Sequence, residues 1–396
     1  MNYDLKIYAS IIEPTAENQI YNLLYQAPFT NEKIRIMPDV HYGNNCVVGF
    51  TSTLSDKVIP NVIGVDIGCG MLTAELGKVN IDFASLDEYI TNNIPHGSDI
   101  YTLIREESLV KKLRCYKKLK DIPRALRSCG SLGGGNHFIE IDKDEKDNYY
   151  LIIHSGSRNL GLQVAEYYQD LAISICKNAA EQERNEVIAR CKQNKQIDKL
   201  DEEIEKVNKK YAYLTKIPSQ FCYLTGKDYD DYLFDLKVCQ EFASKSRYIM
   251  SEMILKHLNI NAVSSFETIH NFIEFGKHGN FIRKGAIPAY ENQKVLIPMN
   301  MRDGCIIGIG KGNPDWNYSA PHGAGRLLSR GEVKSIVDVN DFKETMKGIY
   351  TTTANERTID ESPFAYKPME GIIELIKPTV EIIKIIKPVY NFKAAK

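Results

Sequence analysis

The chain has 396 residues, of which 43% are hydrophobic and 26% are charged, and its formal net charge is -1 at pH 7. This length suits one large domain or two medium ones, and the small net charge means that a nucleic-acid partner would have to meet a local basic surface. Long apolar runs, a signal-peptide pattern and C-x-x-C pairs are missing from the sequence, so we expect a cytoplasmic protein with reduced thiols and no membrane partner.

The first part of the chain alternates predicted strands and helices. The segment up to Tyr25 has the pattern of a strand and then a short helix, and strand patterns flank M-P-D-V-H at residues 37–41. Pro38 favours an extended chain, which places Asp39 and His41 on the same side of it. Asp39 could orient an imidazole, as carboxylates often do, or simply belong to a turn. His41 could be a functional histidine or a hydrogen-bonded core histidine.

Residues 58–71, V-I-P-N-V-I-G-V-D-I-G-C-G-M, form the stretch around which the rest is organised. Its apolar, β-branched start predicts a buried strand, and the dense glycines that follow predict close backbone approach or positive φ. Asp66 and Cys69 lie among those glycines, where a carboxylate and a thiol could converge on one point. The alternative is a glycine-rich turn that happens to carry an aspartate and a buried cysteine.

Two helical patterns follow this turn. Residues 81–92 predict an ordinary helix, and residues 109–127 predict a basic helical stretch with lysines and arginines throughout. Such a run of charge is usually a solvated face. The alternative is a surface that contacts nucleic-acid phosphates.

Two histidines then occur in glycine-rich contexts. S-L-G-G-G-N-H-F-I-E-I at residues 131–141 offers backbone N–H groups to an anion before a predicted strand, but it has neither Walker nor dinucleotide-binding spacing. Residues 151–154 predict a strand that continues into H-S-G-S-R, so His154 lies at its carboxyl end near Arg158. This arrangement suits a metal ligand beside a phosphate-binding turn.

The middle of the chain is predicted to be helical. Residues 159–211 and 228–258 are long, heavily charged segments with helical patterns. We interpret them as an insertion over about residues 159–260, packed on the side of a sheet core within a single domain of residues 1–396. Solvated support for that core is its simplest role.

The last third of the chain predicts short strands again. His270 is placed in one of them, and residues 295–309 predict a strand-turn-strand unit. In P-H-G-A-G-R, His322 is held on a tight turn among small residues, and Gly325 opens an apolar helical stretch. The tail predicts a final strand that returns Lys393 to the core. Because strands outnumber crossover helices, we expect an α+β fold with two packed sheets, mixed or antiparallel, flanked by helices.

These patterns contain a set of potential metal ligands at strand ends and glycine turns. They are Asp66, Cys69, His137, His154 and His270. The mixture of oxygen, sulfur and nitrogen donors suits Mn²⁺, Zn²⁺, Fe²⁺ or Co²⁺ and excludes a pure Mg²⁺ or Ca²⁺ site. A thiolate among five ligands could bridge two metal ions, an arrangement used in phosphoryl chemistry.

Five segments, D-I-G-C-G-M, G-G-G-N-H-F-I-E, H-S-G-S-R, H-N-F and H-G-A-G-R, occur in this order and resemble the RtcB family of RNA ligases. The resemblance covers about residues 37–393. It implies a GTP-dependent ligase that joins RNA 3′-phosphate or 2′,3′-cyclic phosphate ends to 5′-hydroxyl ends, in tRNA splicing or in a divergent RNA-repair branch. It also implies two Mn²⁺ ions per subunit on the five ligands, with Cys69 between them. His322 would become covalently guanylated while Asp39 orients its imidazole.

The resemblance further implies a nucleotide pocket and RNA contacts. The pocket residues are Asn136, His137, Phe138, Ile139, Glu140, His270, Asn271, Pro298, Met299, Asn300, Met301, Cys305, His322, Gly323, Ala324, Gly325 and Lys393. Arg158 and Arg302 would clamp RNA phosphates. Many family members carry P-G-S where this chain has P-M-N at residues 298–300, which leaves the nucleotide contacts and the base choice there open. An archease-type activator is a further implied partner.

Two other classes of function stay open at this point. The ligand set alone would also serve a metal-dependent phosphohydrolase, and a chain with this pattern could be a non-catalytic protein that binds RNA ends. His322 argues against the hydrolase, because a hydrolase needs no separate histidine facing a nucleotide pocket. The presence of all six key side chains favours activity over a non-catalytic binding protein.

Overall fold

The structure is a computed structural model that describes residues 3–394. Its α-helices are α1 (Pro14–Leu24), α2 (Pro60–Ile63), α3 (Phe83–Asn93), α4 (Ile122–Arg127), α5 (Arg158–Gln193), α6 (Leu200–Tyr211), α7 (Gly226–Leu258), α8 (Arg330–Ile336), α9 (Val339–Thr345) and α10 (Met369–Ile376). Its strands are β1 (Asp4–Ile7), β2 (Lys33–His41), β3 (Val48–Thr53), β4 (Gly70–Gly77), β5 (Phe138–Lys143), β6 (Tyr149–Ser155), β7 (Ser264–Ile269), β8 (Asn271–Gly276), β9 (Gly279–Lys284), β10 (Ala286–Pro288), β11 (Lys294–Asn300), β12 (Gly304–Gly310), β13 (Ser319–Pro321) and β14 (Val380–Lys393).

Most strands of the described chain belong to two sheets. The larger has the order β11-β12-β14-β5-β6-β4-β7, and all of its neighbours are antiparallel. The smaller has the order β1-β2-β3-β9-β8 and is parallel only between β1 and β2. Strands β10 and β13 form a separate antiparallel pair. These mixed and antiparallel sheets with surrounding helices confirm the predicted α+β fold.

The central strands of the larger sheet are buried on both faces. Ile139 and Ile141 of β5 pack into one apolar cluster with residues of α3 and α7. The alternate residue Phe138 packs into a second cluster on the opposite face, together with Tyr150 and Ile152 of β6. Since side chains alternate along a strand, Glu140 also points to this second face. That face carries the site described below.

The predicted long helices are present. Helix α5 runs over 36 residues and α7 over 33, and α7 contacts β4 and β6 of the larger sheet. Helix α6 packs back on the end of α5 through a small apolar cluster that includes Val187, Cys191 and Val207. The interpretation of residues 159–260 as an insertion stays a prediction.

Two predicted elements before residue 130 are wrong. The apolar run at residues 58–63 is not a strand, because Pro60 starts the short helix α2 and the strand begins only at Gly70. The basic segment at residues 109–127 is not one helix but two single 3₁₀ turns followed by α4. Between these pieces the Asp235 carboxylate accepts the backbone N–H groups of Arg114 at 2.7 Å and Cys115 at 3.0 Å, which interrupts a helical ladder.

Two further expectations are corrected in the last third. No helix starts at Gly325 within the described chain; α8 begins at Arg330, where Ser329 and Glu332 form a reciprocal capping box. His270 is not inside a strand but joins β7 to β8, which belong to different sheets. Its N–H donates to the Cys69 carbonyl at 2.9 Å, and its own carbonyl accepts from the Gly285 N–H at 2.7 Å. His270 therefore lies where the two sheets meet.

Within residues 3–394, no helix is both long enough and apolar enough to cross a lipid bilayer.

Candidate metal centre and nucleotide pocket

Strand register brings the candidate ligands together at one end of the larger sheet. His154 of β6 pairs with Met71 of β4 on one side and with Phe138 of β5 on the other. Cys69 lies two residues before Met71 and His137 directly precedes Phe138, so both lie close to His154. His270 joins them because its backbone is hydrogen-bonded to that of Cys69.

A buried arginine holds the glycine turn in place. Arg247 of α7 has no solvent exposure, and its Nη1 donates to the carbonyls of Gly68 at 2.9 Å and Ser155 at 2.7 Å. Its Nε pairs with the Glu267 carboxylate at 2.9 Å. Hydrogen bonds from a charged donor to buried carbonyls are strong, so Arg247 ties the turn before β4 to the end of β6.

The five predicted ligands converge. Cys69 Sγ lies 3.2 Å from His154 Nε2 and 3.5 Å from His137 Nε2, and the Nε2 atoms of His154 and His270 are 3.4 Å apart. His137 Nε2 is 2.9 Å from Asp66 Oδ2. Ligand atoms fall into two groups, each within 4.8 Å: Cys69 with His154 and His270, and Cys69 with Asp66 and His137. Cys69 is common to both groups.

The imidazoles are arranged for coordination through Nε2. Nδ1 of His154 lies 3.1 Å from the Asn136 carbonyl, and Nδ1 of His137 lies 3.0 Å from the Leu132 carbonyl. A carbonyl only accepts, so Nδ1 of His154 carries the proton and its Nε2 keeps a free lone pair. Nδ1 of His137 faces both its carbonyl and the Arg158 guanidinium, which only donates, so its tautomer is not fixed by these contacts. Burial also lowers the pKa of His137, His154 and His270, which keeps these rings neutral.

The acidic member of the set is ionised. Burial alone would raise the pKa of Asp66, but the neighbouring His137 and Arg158 outweigh it and lower that pKa. Burial and the Asp66 charge raise the pKa of the Cys69 thiol well above its usual value. Three neutral nitrogens, one carboxylate and one thiol in a nearly dry site form a donor set that fits a soft or borderline divalent cation.

His322 lies next to this cluster with a carboxylate behind it. Asp39 Oδ2 is 2.7 Å from His322 Nδ1 and also accepts the His322 backbone N–H at 3.2 Å. Asp39 is fully buried, whereas the His322 side chain is 15% exposed. The His322 ring centroid is 4.6 Å from that of His270. Because Nδ1 is engaged, Nε2 is the nitrogen available to a substrate.

A pocket with about 770 Å³ of open space, including its mouth, lies beside His322. Of the nucleotide-site residues predicted from the sequence, those that line it are Asn136, Phe138, Glu140, Pro298, Met299, Asn300, Met301, His322, Gly323, Ala324, Gly325 and Lys393. The others, His137, Ile139, His270, Asn271 and Cys305, are not part of its lining. Ile139 faces the core beneath α3 and α7, and Cys305 is buried behind Glu140.

Comparison with known proteins gives the family. A family model described as tRNA-splicing ligase RtcB matches residues 19–121 and 103–394. The chain is 29% identical to the RNA-splicing ligase RtcB of Escherichia coli (strain K12), over an alignment that covers 96% of this chain and 95% of that protein. The chain belongs to the RtcB family. This confirms the resemblance seen in the five motifs.

Two further RtcB-family relatives show how widely the similarity extends. The tRNA-splicing ligase RtcB of Methanococcus maripaludis is 24% identical, with 89% of this chain and 85% of the relative aligned. The RNA-splicing ligase RtcB2 of Escherichia coli ATCC 25922 is 23% identical, with 90% and 86% aligned.

The two arginines predicted to clamp RNA lie in different surroundings in this RtcB-family chain. Arg158 Nη1 is 3.0 Å from His137 Nδ1, and Arg158 lines a second opening together with Asp66 and Arg124. Arg302 is outside both openings and is engaged by the carboxylate of its neighbour Asp303 at 2.8 Å. Of the two arginines, Arg158 therefore faces one of these openings and Arg302 faces neither.

Sequence reasoning missed several residues of the pocket. They are His41, Met71, His154, Arg326, Arg330, Glu361, Tyr366 and Asn391. The sequence could have indicated three of them. Arg326 ends the H-G-A-G-R motif, His41 ends M-P-D-V-H, and Asn391 shares a strand face with Lys393. Glu361 and Tyr366 come from an irregular segment and have no motif.

Glu361 organises the positive charge of the pocket. Its carboxylate lies 3.0 Å from Lys393 Nζ, 2.6 Å from Arg330 Nη1 and 3.5 Å from Arg326 Nη1. Burial would raise the pKa of Glu361, but these three cations lower it to about 2. Because Asp360 also pairs with Arg330, three cations face two carboxylates, and the wall keeps a net positive charge that suits an anionic ligand.

Proposed function

We propose that this chain is an RNA ligase that uses GTP and Mn²⁺ to join RNA 3′-phosphate or 2′,3′-cyclic phosphate ends to 5′-hydroxyl ends. Membership of the RtcB family supports RNA ligase activity. The main support for GTP-dependent joining is the position of His322, which contacts Asp39 on one side and lies next to the ligand cluster and the pocket. tRNA splicing and RNA repair are both compatible roles, and the whole of residues 1–396 would act as one catalytic domain.

Asp66, Cys69, His137, His154 and His270 would hold two metal ions per chain, with Cys69 shared between them. The carboxylate and imidazoles of this set can hold Mn²⁺ as well as Zn²⁺, Fe²⁺ or Co²⁺, and the thiol excludes a site built only for Mg²⁺ or Ca²⁺. When bound, such ions neutralise phosphate charge and acidify a coordinated hydroxyl.

His322 would be the nucleophile of the first step. Its Nε2 attacks the α-phosphorus of GTP, a P–N bond forms, and pyrophosphate leaves with the electron pair of the broken P–O bond. Asp39 holds Nδ1–H and stabilises the positive charge that develops on the ring. The product of this step is a guanylate on His322.

The guanylate would then pass to RNA. A cyclic phosphate end is first opened by water to a 3′-phosphate, whose oxygen attacks the guanylate phosphorus and breaks the P–N bond to give RNA(3′)ppG. The incoming 5′-hydroxyl attacks the RNA phosphate of that anhydride, a phosphodiester forms, and GMP leaves. Arg158 at the second opening would hold RNA phosphates during these steps. An archease-type activator would assist the reaction.

The pocket residues have roles that follow from their chemistry. Arg326, Arg330 and Lys393 suit the negatively charged phosphates, while Phe138 and Met299 offer apolar surface to the base. Lys393 Nζ also lies 5.2 Å from the centre of the Phe138 ring. The pocket therefore combines a wall for phosphates with a wall for a purine.

The proposal is tested by a gel assay with one RNA that ends in a 2′,3′-cyclic phosphate and one that begins with a 5′-hydroxyl. A joined product that needs both GTP and Mn²⁺ is the expected result. Opening of the cyclic phosphate without joining would instead indicate a phosphohydrolase. A shift of the RNA band without chemistry would indicate an RNA-end binding protein.

Gly325 provides a separate test of the Asp39–His322 geometry. Its φ is +76°, and a Cβ there would lie 2.3 Å from the Asp39 carbonyl oxygen. We expect Gly325→Ala to cost about 1–3 kcal/mol of stability and to slow guanylate transfer to His322 by at least about tenfold, because Asp39 must move. Thermal unfolding and transfer of label from α-³²P-GTP are the measurements.

Gly348→Ala is the matched control for Gly325→Ala. Gly348 has a φ of +90°, and nothing lies within 4 Å of the position of its Cβ. This variant should carry a similar conformational penalty and transfer label normally. Equal slowing in the two variants would contradict the role given to Gly325.

A further inference from the structure

Residues 109–127 carry a concentration of positive charge that the proposed chemistry does not use. The segment has eight lysines and arginines and one acidic residue, Asp121. Three of its cations form ion pairs, namely Lys111 with Glu107, Arg114 with Asp231 and Lys120 with Glu166. In the described chain the other five have no carboxylate within ion-pair distance; they are Lys112, Lys117, Lys118, Arg124 and Arg127. We call these five residues the basic surface.

The fold holds the lysines of the basic surface in fixed positions. Val110, Leu113, Cys115 and Leu119 are buried and anchor the two 3₁₀ turns that carry these lysines. The buried Asp235 carboxylate accepts two backbone N–H groups of the same segment, at 2.7 and 3.0 Å. The lysines between the anchors are exposed. An array of charges on a backbone fixed in this way loses little entropy when it binds an extended anion.

The basic surface continues into the second opening. Arg124 lines that opening together with Arg158, and its guanidinium donates to the Ser98 carbonyl at the edge of the opening. The start of α4 is fixed to α5 at this place, because the Gln163 side chain accepts the Asp121 N–H at 2.6 Å and donates to the Asp121 carbonyl at 3.0 Å. The exposed lysines lie on the chain directly before α4. Positive charge therefore extends from the second opening outward along the segment.

The second opening leads to the candidate metal ligands from a side that the nucleotide pocket does not share. Asp66 and His137 line the second opening, and neither lines the nucleotide pocket. Both belong to one ligand group with Cys69. A strand whose end reaches this group through the second opening would leave its remaining nucleotides outside, where the basic surface lies.

We propose that the basic surface binds the phosphate backbone of the RNA strand whose 3′-phosphate end enters the second opening. This inference rests on the proposed ligase function, which makes RNA the substrate. Single-stranded RNA carries one negative charge per nucleotide, and lysines contact its phosphates without reading the bases. Arg124 holds the backbone near the opening, and Lys112, Lys117 and Lys118 bind nucleotides farther from the reacting end. Longer strands therefore bind more tightly than short ones, whatever their sequence.

The test measures the affinity of the full chain, in Mn²⁺ and without GTP, for fluorescein-labelled oligouridylates that end in a 3′-phosphate. Two lengths are compared, about four and about twelve nucleotides. The longer RNA should bind the parent at least about tenfold more tightly. The triple variant Lys112→Gln, Lys117→Gln and Lys118→Gln should lose most of this gain. Its plot of log Kd against log salt for the longer RNA should be less steep by about two, since three phosphate contacts are removed.

A second triple variant, Lys192→Gln, Lys195→Gln and Lys199→Gln, is the matched control. It removes the same charge from three lysines that are also exposed and that have no carboxylate within ion-pair distance in residues 3–394. They lie at the far end of α5, whose 36 residues extend about 50 Å from Arg158. This variant should keep both the length gain and the salt dependence of the parent. Thermal unfolding should be near that of the parent in both variants, because the replaced side chains are exposed.

The outcomes separate this inference from the proposed ligase activity. Equal affinity of the parent for the two RNAs would overturn the inference and leave the basic surface to an acidic protein partner. A full length gain in the Lys112, Lys117 and Lys118 variant would overturn it as well, even if the parent joins RNA ends. Length-dependent binding through these lysines, without joining when GTP and a 5′-hydroxyl RNA are added, would contradict the ligase chemistry and support this inference. No binding of either RNA would overturn both.

Discussion

His322→Ala should reduce the transfer of label from α-³²P-GTP to the protein by at least about 1,000-fold, because alanine offers no nitrogen to attack the α-phosphorus. Asp39→Asn should have a smaller but still large effect, between about 100- and 10,000-fold, since the ring stays in place while its tautomer and charge are no longer supported. The measurement is the label that stays on the protein after treatment with acid and after treatment with base. A phosphoramidate is lost in acid and survives in base.

His257→Ala is the matched control for this experiment. His257 is exposed on α7 and stacks on Tyr89 with ring centroids 4.1 Å apart, away from the pocket lining. It should label normally. Label that persists in His322→Ala with the acid sensitivity of a phosphoramidate would remove His322 as the nucleophile.

Cys69→Ser should abolish the binding of both metal ions, because Cys69 is the only residue common to the two ligand groups found in that cluster of the described chain. His137→Ala should remove mainly one ion, since His137 belongs only to the group with Asp66. We expect the Mn²⁺ content to fall from two per chain to near zero in Cys69→Ser and to about one in His137→Ala, with joining activity lost in both. Equilibrium dialysis followed by elemental analysis measures the content.

Cys191→Ser is the matched control for the cysteine change. Cys191 is also a buried free cysteine, but it lies in the apolar contact between α5 and α6. Its replacement should lower the melting temperature slightly and leave the Mn²⁺ content unchanged. Two ions bound to Cys69→Ser at parental affinity would contradict a shared thiolate.

Much of the secondary structure was predictable because it depends on local periodicity. The helical pattern of residues 228–258 and the strand-turn-strand pattern of residues 295–309 correspond to α7 and to β11 with β12. The wrong predictions have causes that the hydrophobic pattern does not reveal. Pro60 starts a helix inside an apolar run, and the distant Asp235 captures the backbone N–H groups that residues 114 and 115 would need in a helix.

The residues of the candidate site also fall into two groups, those that the motifs predict and those that they do not. Glycine-flanked histidines, a cysteine and an aspartate are conspicuous as residue types, and the structure brings the five ligands and His322 together; their roles stay predictions until metal and label are measured. Glu361 and Arg330 could not be found from the sequence, because they reach the pocket from irregular or helical segments whose local pattern says nothing of a partner. Only the pairing of Glu361 with Lys393 and with Arg330 reveals their place.

The family, the fold class and the kinds of atom available for chemistry follow from the sequence alone, since motifs and periodicity are properties of neighbouring residues. Which atoms meet depends on the folded chain. The register of β4, β5 and β6 sets Cys69, His137 and His154 side by side, and the junction between the two sheets delivers His270. The folded chain also decides that Glu361 is buried among three cations, because burial depends on which segments pack together and not on the residues of one segment.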